Sequence, residues 1–151
     1  MNTVLQRVDR ASVEVGGKIV GQIEKGFLIF LGVCDTDEKR DAEVLADKIS
    51  GLRIFTDEND KMNLSLADVS GGVLVISNFT LCADCQKGRR PNFCAAAPAD
   101  TANELYEYFC ERLKNKGIGK VEKGVFGADM SVKLTNDGPV TLILKSEDLK
   151  K

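Results

Sequence analysis

The residues of this sequence that could do chemistry include a short polar segment, Ser77-Asn78-Phe79-Thr80, which follows a run of apolar residues. It would place two hydroxyls and an amide at the end of a buried strand, beside a loop, where functional side chains are common. The chain contains no histidine, which excludes Ser-His-Asp and Cys-His catalysis, HExxH zinc sites and His-ligated haem. Neither hydroxyl therefore has an obvious general base. Ordinary strand-end polarity is the simpler explanation of this segment when it is considered alone.

Thiols are a second source of chemistry. The chain has five cysteines, and two of them form a Cys82-Ala-Asp-Cys85 motif. Such a motif serves as a redox pair or as half of a zinc site. A zinc site needs two more ligands and a thioredoxin-like pair needs a helix start, whereas a basic loop follows here, so incidental thiols are favoured.

The cysteine count also bears on the compartment. An odd number of thiols, with no apolar leader at the N-terminus, predicts a soluble protein of the reducing cytoplasm. The longest apolar run, Phe27 to Val33, is too short to cross a bilayer, and we expect no membrane partner.

The charges are balanced overall but unevenly distributed. There are 21 basic and 23 acidic residues, so bulk charge gives no argument for nucleic-acid binding. Lys87-Gly88-Arg89-Arg90 places three cations in four residues, and a second basic stretch covers 112–123. Residues 35–60, in contrast, hold nine acids and four bases. The basic loop is typical either of phosphate contacts or of a solvated surface, and composition leaves both open.

The elements that must position these residues follow from the hydrophobic pattern. At 151 residues the chain has the length of a single domain, residues 1–151. Helical periodicity predicts two helices, over 37–50 and over 99–116. Asp35 or Thr36 can cap the start of the first, and Gly51 can end it. Alternating or continuous apolar runs predict strands over 3–8, 11–15, 18–23, 27–33, 52–55, 73–76, 128–135 and 139–145. Gly16-Gly17 predicts a hairpin turn between the second and third of these strands. This order predicts an α+β fold with a curled, barrel-like, mostly antiparallel or mixed sheet and two main helices.

Asn136-Asp137-Gly138-Pro139 lies between the last two predicted strands. Asn-Asp-Gly is a strong turn signal, and proline cannot sit in a central strand pair. The residues alone therefore predict a hairpin turn with a trans proline, since cis bonds precede only about 5–6% of prolines in folded proteins.

Five segments together resemble one family. They are Met1–Val8, Ser77–Leu81, Lys87–Pro91, Phe126–Met130 and Asn136–Thr141, in order and at the expected spacing from residue 1 to about 145. They resemble the D-aminoacyl-tRNA deacylases of the D-Tyr-tRNA deacylase type. The resemblance implies hydrolysis of the ester between a D-amino acid, or a mischarged glycine, and the terminal adenosine of tRNA. It also implies a homodimer with active sites at the subunit interface, and no cofactor or metal.

The resemblance also implies roles for particular residues. The catalytic segment would be Ser77, Asn78, Phe79 and Thr80, with backbone N–H groups around Phe79 and Thr80 as an oxyanion hole and the 2′-hydroxyl of the tRNA activating water. A nucleophilic Thr80 ranks second. A cis Gly138-Pro139 would reach into the partner's pocket and reject L side chains by backbone collision. Arg7, Met130 and Asn136 would support the substrate or the Gly138-Pro139 loop. Lys87, Arg89 and Arg90 would contact tRNA phosphates.

The sequence departs from the family pattern at one position, and two other classes of function remain open. Asn78 stands where the family usually has glutamine, which shortens the side chain by one methylene. The alternatives are a redox or zinc module on Cys82 and Cys85, and a non-catalytic RNA-binding domain using the basic loop.

Overall fold

The computed structural model describes residues 1–150 and shows a mixed sheet that curls into a nearly closed barrel. Its strands are β1 (Asn2–Val15), β2 (Lys18–Ile23), β3 (Gly26–Gly32), β4 (Phe55–Thr56), β5 (Met62–Leu64), β6 (Gly72–Ser77), β7 (Val121–Lys123) and β8 (Ser131–Lys145). Its helices are α1 (Lys39–Ser50), α2 (Ala99–Asn115) and the short α3 (Ser146–Leu149), with a single 3-10 turn over Phe79–Cys82. The predicted α+β class, the curled mixed sheet and the two main helices are confirmed.

Strand β1 is the centre of the sheet. It pairs antiparallel with β2, β3 and β8, while β3, β6 and β7 run parallel to one another. The two ends of the sheet meet where β2 passes β7. A Cβ added to Gly21 would lie 2.6 Å from the Lys123 carbonyl oxygen, so glycine permits the close approach that nearly closes the barrel.

Two apolar clusters stabilise this arrangement. One lies between the sheet and the inward faces of α1 and α2, and the other fills the opposite side of the sheet with residues such as Val8, Leu28 and Leu74. Strands β3 and β6 are buried on both faces, as their continuous apolar sequences predict. The Tyr106 hydroxyl of α2 donates to the Val75 carbonyl over 2.8 Å, and burial raises the pKa of this phenol.

Some local predictions were wrong. Residues 2–15 form one strand rather than two, and residues 131–145 also form one continuous strand. The predicted hairpin between them does not exist, because both halves of β8 pair with the same long β1. The Gly138–Pro139 peptide bond is cis and lies inside this strand, where the pairing with β1 shifts register.

Smaller differences concern element ends. Helix α1 begins after Glu38, whose N–H is capped by the Asp41 carboxylate over 3.0 Å, rather than after Asp35 or Thr36. The predicted strand 52–55 is reduced to Phe55–Thr56, and the sequence analysis missed β5 and β7. Within residues 1–150 no helix is long and apolar enough to cross a membrane.

Candidate active site

The segment that carries the candidate catalytic residues is fixed against strand β3. Ser77 ends β6 opposite Leu31, and the Asn78 N–H donates to the Leu31 carbonyl over 2.8 Å. The 3-10 turn then packs on Gly32, where an added Cβ would lie 2.8 Å from Leu81 Cβ and 3.0 Å from the Asn78 carbonyl oxygen. The turn therefore has little freedom to move toward the sheet.

The 3-10 turn begins with two N–H groups that have no hydrogen-bond acceptor within residues 1–150. The N–H groups of Phe79 and Thr80 begin the turn, so no carbonyl inside it can accept from them. No other acceptor within the described residues 1–150 does so. The Thr80 hydroxyl instead donates to the Asn78 side-chain oxygen. Two adjacent backbone donors are therefore free to stabilise a negative oxygen.

An open cavity of about 410 Å³ adjoins this turn. Ser77, Asn78 and Phe79 form part of its wall, and the rest is mostly small or apolar: Val33, Ala96, Ala97, Ala99, Ala102, Phe126, Gly127, Ala128 and Met130. Phe79 is 56% exposed and meets Phe93 edge to face, with ring centroids 5.2 Å apart. An apolar cavity with a few polar groups at one end is typical of a small-ligand site.

The Gly138–Pro139 segment is held by two side chains. Arg7 is almost fully buried, and its guanidinium donates to the carbonyl oxygens of Ile54 and Asp137 over 2.6 and 3.3 Å. It also pairs with the Asp137 carboxylate over 3.0 Å. The Asn136 amide donates to the carbonyl oxygens of Arg7 and Val140, each over 3.0 Å. Side chains therefore bind the backbone on both sides of the proline, at Asp137 and at Val140.

The structure does not bring these two groups together within one chain. The cavity wall contains neither Gly138 nor Pro139. Asn2 of β1 donates to the Leu81 carbonyl over 3.0 Å, whereas the Gly138–Pro139 segment lies beside Arg7 on the same strand. Five residues of extended strand separate the two points, which corresponds to about 17 Å.

The basic loop projects from the rim of the turn. Asp84 and Asn92 close it through paired backbone hydrogen bonds of 2.8 and 2.9 Å, and Gly88 turns its tip with a φ of +71°. Lys87, Arg89 and Arg90 are exposed, and within residues 1–150 none of them pairs with a carboxylate. The second basic stretch is partly neutralised, since Arg112 and Lys116 pair with Asp47, and Lys123 pairs with Glu107.

The thiols are arranged differently from what the CxxC motif suggested. Cys82 is buried at the end of the 3-10 turn, whereas Cys85 is exposed on the loop. The Cys82 sulfur lies 2.8 Å from that of Cys34, which follows β3. Burial, together with the contact to Cys34, raises the pKa of the Cys82 thiol to about 12. Sequence reasoning missed this pair because the two residues are far apart in the chain and only the parallel pairing of β3 and β6 brings them together.

Comparisons with known proteins identify the family. The sequence model of the D-Tyr-tRNA(Tyr) deacylase family matches residues 4–145. The chain belongs to this family. A D-aminoacyl-tRNA deacylase of Dictyoglomus turgidum is 55% identical over 151 residues, covering 100% of this chain and 96% of the relative. One from Koribacter versatilis is 57% identical over 147 residues, covering 97% of this chain and 98% of the relative.

Solved structures agree with the family fold. The structure of a c-Myc DNA Unwinding Element Binding Protein is 39% identical, has a TM-score of 0.90, and covers 96% of this chain and 98% of its own. That of a probable eukaryotic D-amino acid tRNA deacylase has a TM-score of 0.81 at 18% identity, with 95% and 97% coverage, and shows the shared fold. The turn, the cavity, the basic loop and the Arg7 contacts all lie within the range that the deacylase family model matches.

The contacts of Arg7 predict a measurable cost for its removal. Arg7→Met removes a buried guanidinium and leaves the half-buried Ile54 and Asp137 carbonyls without their donor, and we expect a loss of about 3 kcal/mol in the free energy of unfolding. The matched control Asp137→Asn keeps the backbone bond and removes only a half-exposed charge, so it should cost less than about 1 kcal/mol. Urea denaturation of both variants measures the difference, and equal losses would contradict the assigned anchor.

Proposed function

We propose that this protein hydrolyses the ester bond between a D-amino acid and the terminal adenosine of tRNA. Its family membership makes it a hydrolase of the aminoacyl-tRNA ester bond. The observation that carries the proposal is a turn whose first two N–H groups, those of Phe79 and Thr80, are unused and whose Phe79 lines an apolar cavity. Such donors stabilise the oxyanion that forms when an ester carbonyl is attacked.

The proposed reaction uses water and no side-chain base. The water oxygen attacks the ester carbonyl carbon and loses a proton, and the negative charge develops on the carbonyl oxygen. The bond to the ribose 3′-oxygen then breaks, and that oxygen takes up a proton to become the free hydroxyl. In a chain without histidine, the substrate's own 2′-hydroxyl activates the water, and the protein supplies orientation and the oxyanion hole. The Asn78 and Thr80 side chains, which hydrogen-bond to each other, keep the turn and its N–H groups oriented.

Chiral selection is proposed to come from the Gly138–Pro139 segment. Its backbone atoms would meet the side chain of an L-amino acid, whereas a D side chain would point to solvent. Backbone atoms held by Arg7 and Asn136 make a rigid obstacle, and rejection by collision gives specificity against the wrong substrate. Because the D side chain is hardly inspected, several D-amino acids, and glycine as well, would be cleaved.

The two groups would meet in a homodimer. Within one chain they lie about 17 Å apart along β1, so a complete site needs the Gly138–Pro139 segment of a second copy. A candidate interface is available at β8, which within residues 1–150 pairs only with β1 and carries Ile143 at 75% exposure. A long strand edge with an exposed apolar side chain is a natural surface for a partner.

The proposed activity is tested with D-Tyr-tRNA and L-Tyr-tRNA side by side, in the presence of a chelator. We expect release from the D ester only, at a rate that the chelator does not change. Equal cleavage of both esters would contradict chiral rejection. Binding of tRNA without release from either ester would favour the non-catalytic RNA-binding alternative.

Thr80 is expected to orient rather than to attack. Thr80→Ala keeps the backbone N–H and removes the hydroxyl, so kcat for D-Tyr-tRNA should fall by about tenfold or less. Thr80→Ser, the matched control, retains the hydroxyl bond to Asn78 and should behave like the parent protein. Single-turnover kinetics measure both rates. A loss of several orders of magnitude in Thr80→Ala alone would instead indicate a nucleophile.

The basic loop is proposed to bind tRNA phosphates. Replacing Lys87, Arg89 and Arg90 with glutamine should raise KM about tenfold or more at unchanged kcat. The slope of log KM against log salt concentration should also decrease by about 2 to 3, because three phosphate contacts are lost.

The control for the loop variant also replaces three cations with glutamine, so it removes the same amount of charge. Its positions are Arg112, Lys116 and Lys123, which already pair with Asp47 and Glu107. It should leave the salt dependence nearly unchanged. Equal shifts in the two triple variants would mean that net charge, and not the loop, determines tRNA affinity.

A further inference from the structure

The cysteine pair beside the turn is not used by the proposed reaction. Cys34 lies just after β3 and Cys82 ends the 3-10 turn, with their sulfurs 2.8 Å apart. A disulfide bond requires about 2.05 Å between sulfurs and Cβ atoms about 3.8 Å apart. The sulfurs therefore need to approach by only about 0.8 Å. Both thiols are free in this structure.

We propose that Cys34 and Cys82 form a reversible disulfide bond that slows the reaction at the turn they flank. The modification goes beyond the proposed function, while its effect on rate rests on that function. The pairing differs from the one that the CxxC motif suggests, because Cys85 lies exposed on the loop whereas Cys82 faces Cys34.

The accessibility of the two thiols sets the order of the chemistry. Cys34 is half-buried, whereas Cys82 is only 6% exposed. The Cys34 thiolate attacks a low-molecular-weight disulfide such as oxidised glutathione, forms a mixed disulfide and releases one thiol. The Cys82 thiolate then attacks the Cys34 sulfur and releases a second thiol. Two electrons pass from the protein to the small disulfide, and the two protein protons end on the two released thiols.

The second step is expected to be slow and to depend on pH. Burial raises the pKa of the Cys82 thiol above its usual range, and only its thiolate can attack the mixed disulfide. Ring closure should therefore become faster as the pH rises.

The coupling to the reaction follows from the packing of the turn. Asn2 contacts both sides of the pair, since its amide donates to the Leu81 carbonyl and contacts the Cys34 sulfur at 3.6 Å. Leu81 and Asn78 pack so closely on Gly32 that a Cβ added there would be crowded by both, so the turn has little room to move toward β3 as a rigid unit. Drawing Cys82 toward Cys34 must therefore reorient the turn and its N–H groups. Misplacement of a catalytic group by a fraction of an ångström lowers kcat about tenfold or more.

The test uses the full chain, first reduced and then incubated with oxidised glutathione without denaturant. We expect peptide mapping by mass spectrometry to find Cys34 linked to Cys82, whereas the exposed Cys85 and Cys94 carry at most glutathione. The Tm of the oxidised form should rise by about 5 to 10 °C, because the bond closes a long loop. Deacylation of D-Tyr-tRNA should fall about tenfold or more and recover with dithiothreitol.

Two variants serve as controls. Cys85→Ser should form the same Cys34–Cys82 link as the parent protein, and Cys34→Ser should form no link to Cys82 and keep its full rate after the same treatment. A Cys82–Cys85 link, glutathione left on Cys34 without closure, or both thiols left free would overturn the modification site. A Cys34–Cys82 link with unchanged deacylation would overturn its coupling to the reaction. Peptide mapping does not depend on activity, so absence of deacylation in the reduced protein would count against the proposed function alone.

Discussion

The pairing of β1 with β8 along nearly the whole of both strands determines how far the Gly138–Pro139 segment lies from the 3-10 turn within one chain. Asn2 at one end of β1 contacts the 3-10 turn, and Arg7 in its middle holds Asp137 beside Pro139. Because a paired strand is extended, these two points cannot approach each other within one chain. The 3-10 turn beside the cavity and the segment proposed to reject L substrates therefore contact the same rigid strand at separate places. The proposed activity requires that a second copy of the chain complete the site.

A second consequence of the fold is that catalysis can depend on the backbone. The parallel pairing of β3 with β6 and the contact of the turn with Gly32 hold two N–H groups in place without any titratable side chain. Backbone N–H groups act without gaining or losing a proton, and they need not reorient during the reaction. In a chain without histidine, this arrangement suits a substrate that is already an activated ester and carries its own hydroxyl beside the reacting carbon.

The sequence was sufficient to predict the features that depend on local pattern. The continuous apolar runs of β3 and β6 and the amphipathic faces of α1 and α2 are confirmed. Local turn chemistry failed at Asn136–Pro139, because long-range pairing with β1, supported by Arg7 and Asn136, overrides a strong turn signal. The contact between Cys34 and Cys82 could not be predicted either, since it arises from the order of strands rather than from spacing. The chain's own residues place Ser77–Phe79 and Met130 around one cavity, whereas the roles given to them by the family resemblance remain proposals.

The most direct measurement of the shared site is subunit complementation. Gly138→Ala introduces a side chain at a φ of +126°, where it would lie 2.8 Å from Val140 Cγ2, and Phe79→Pro removes one N–H from the turn while fitting the start of a helix. Gly138→Ala alone should cleave both the D and the L ester, because the segment that rejects L side chains is displaced, and Phe79→Pro alone should cleave neither. When the two variants are refolded together in equal amounts, half of the dimers are mixed, and each mixed dimer has one intact, D-selective site. Cleavage of L-Tyr-tRNA should then fall to about a quarter of the rate of Gly138→Ala alone, whereas cleavage of D-Tyr-tRNA should fall only to about half. A fall to half for both esters, with mixed dimers present by mass spectrometry, would contradict a site shared between two chains.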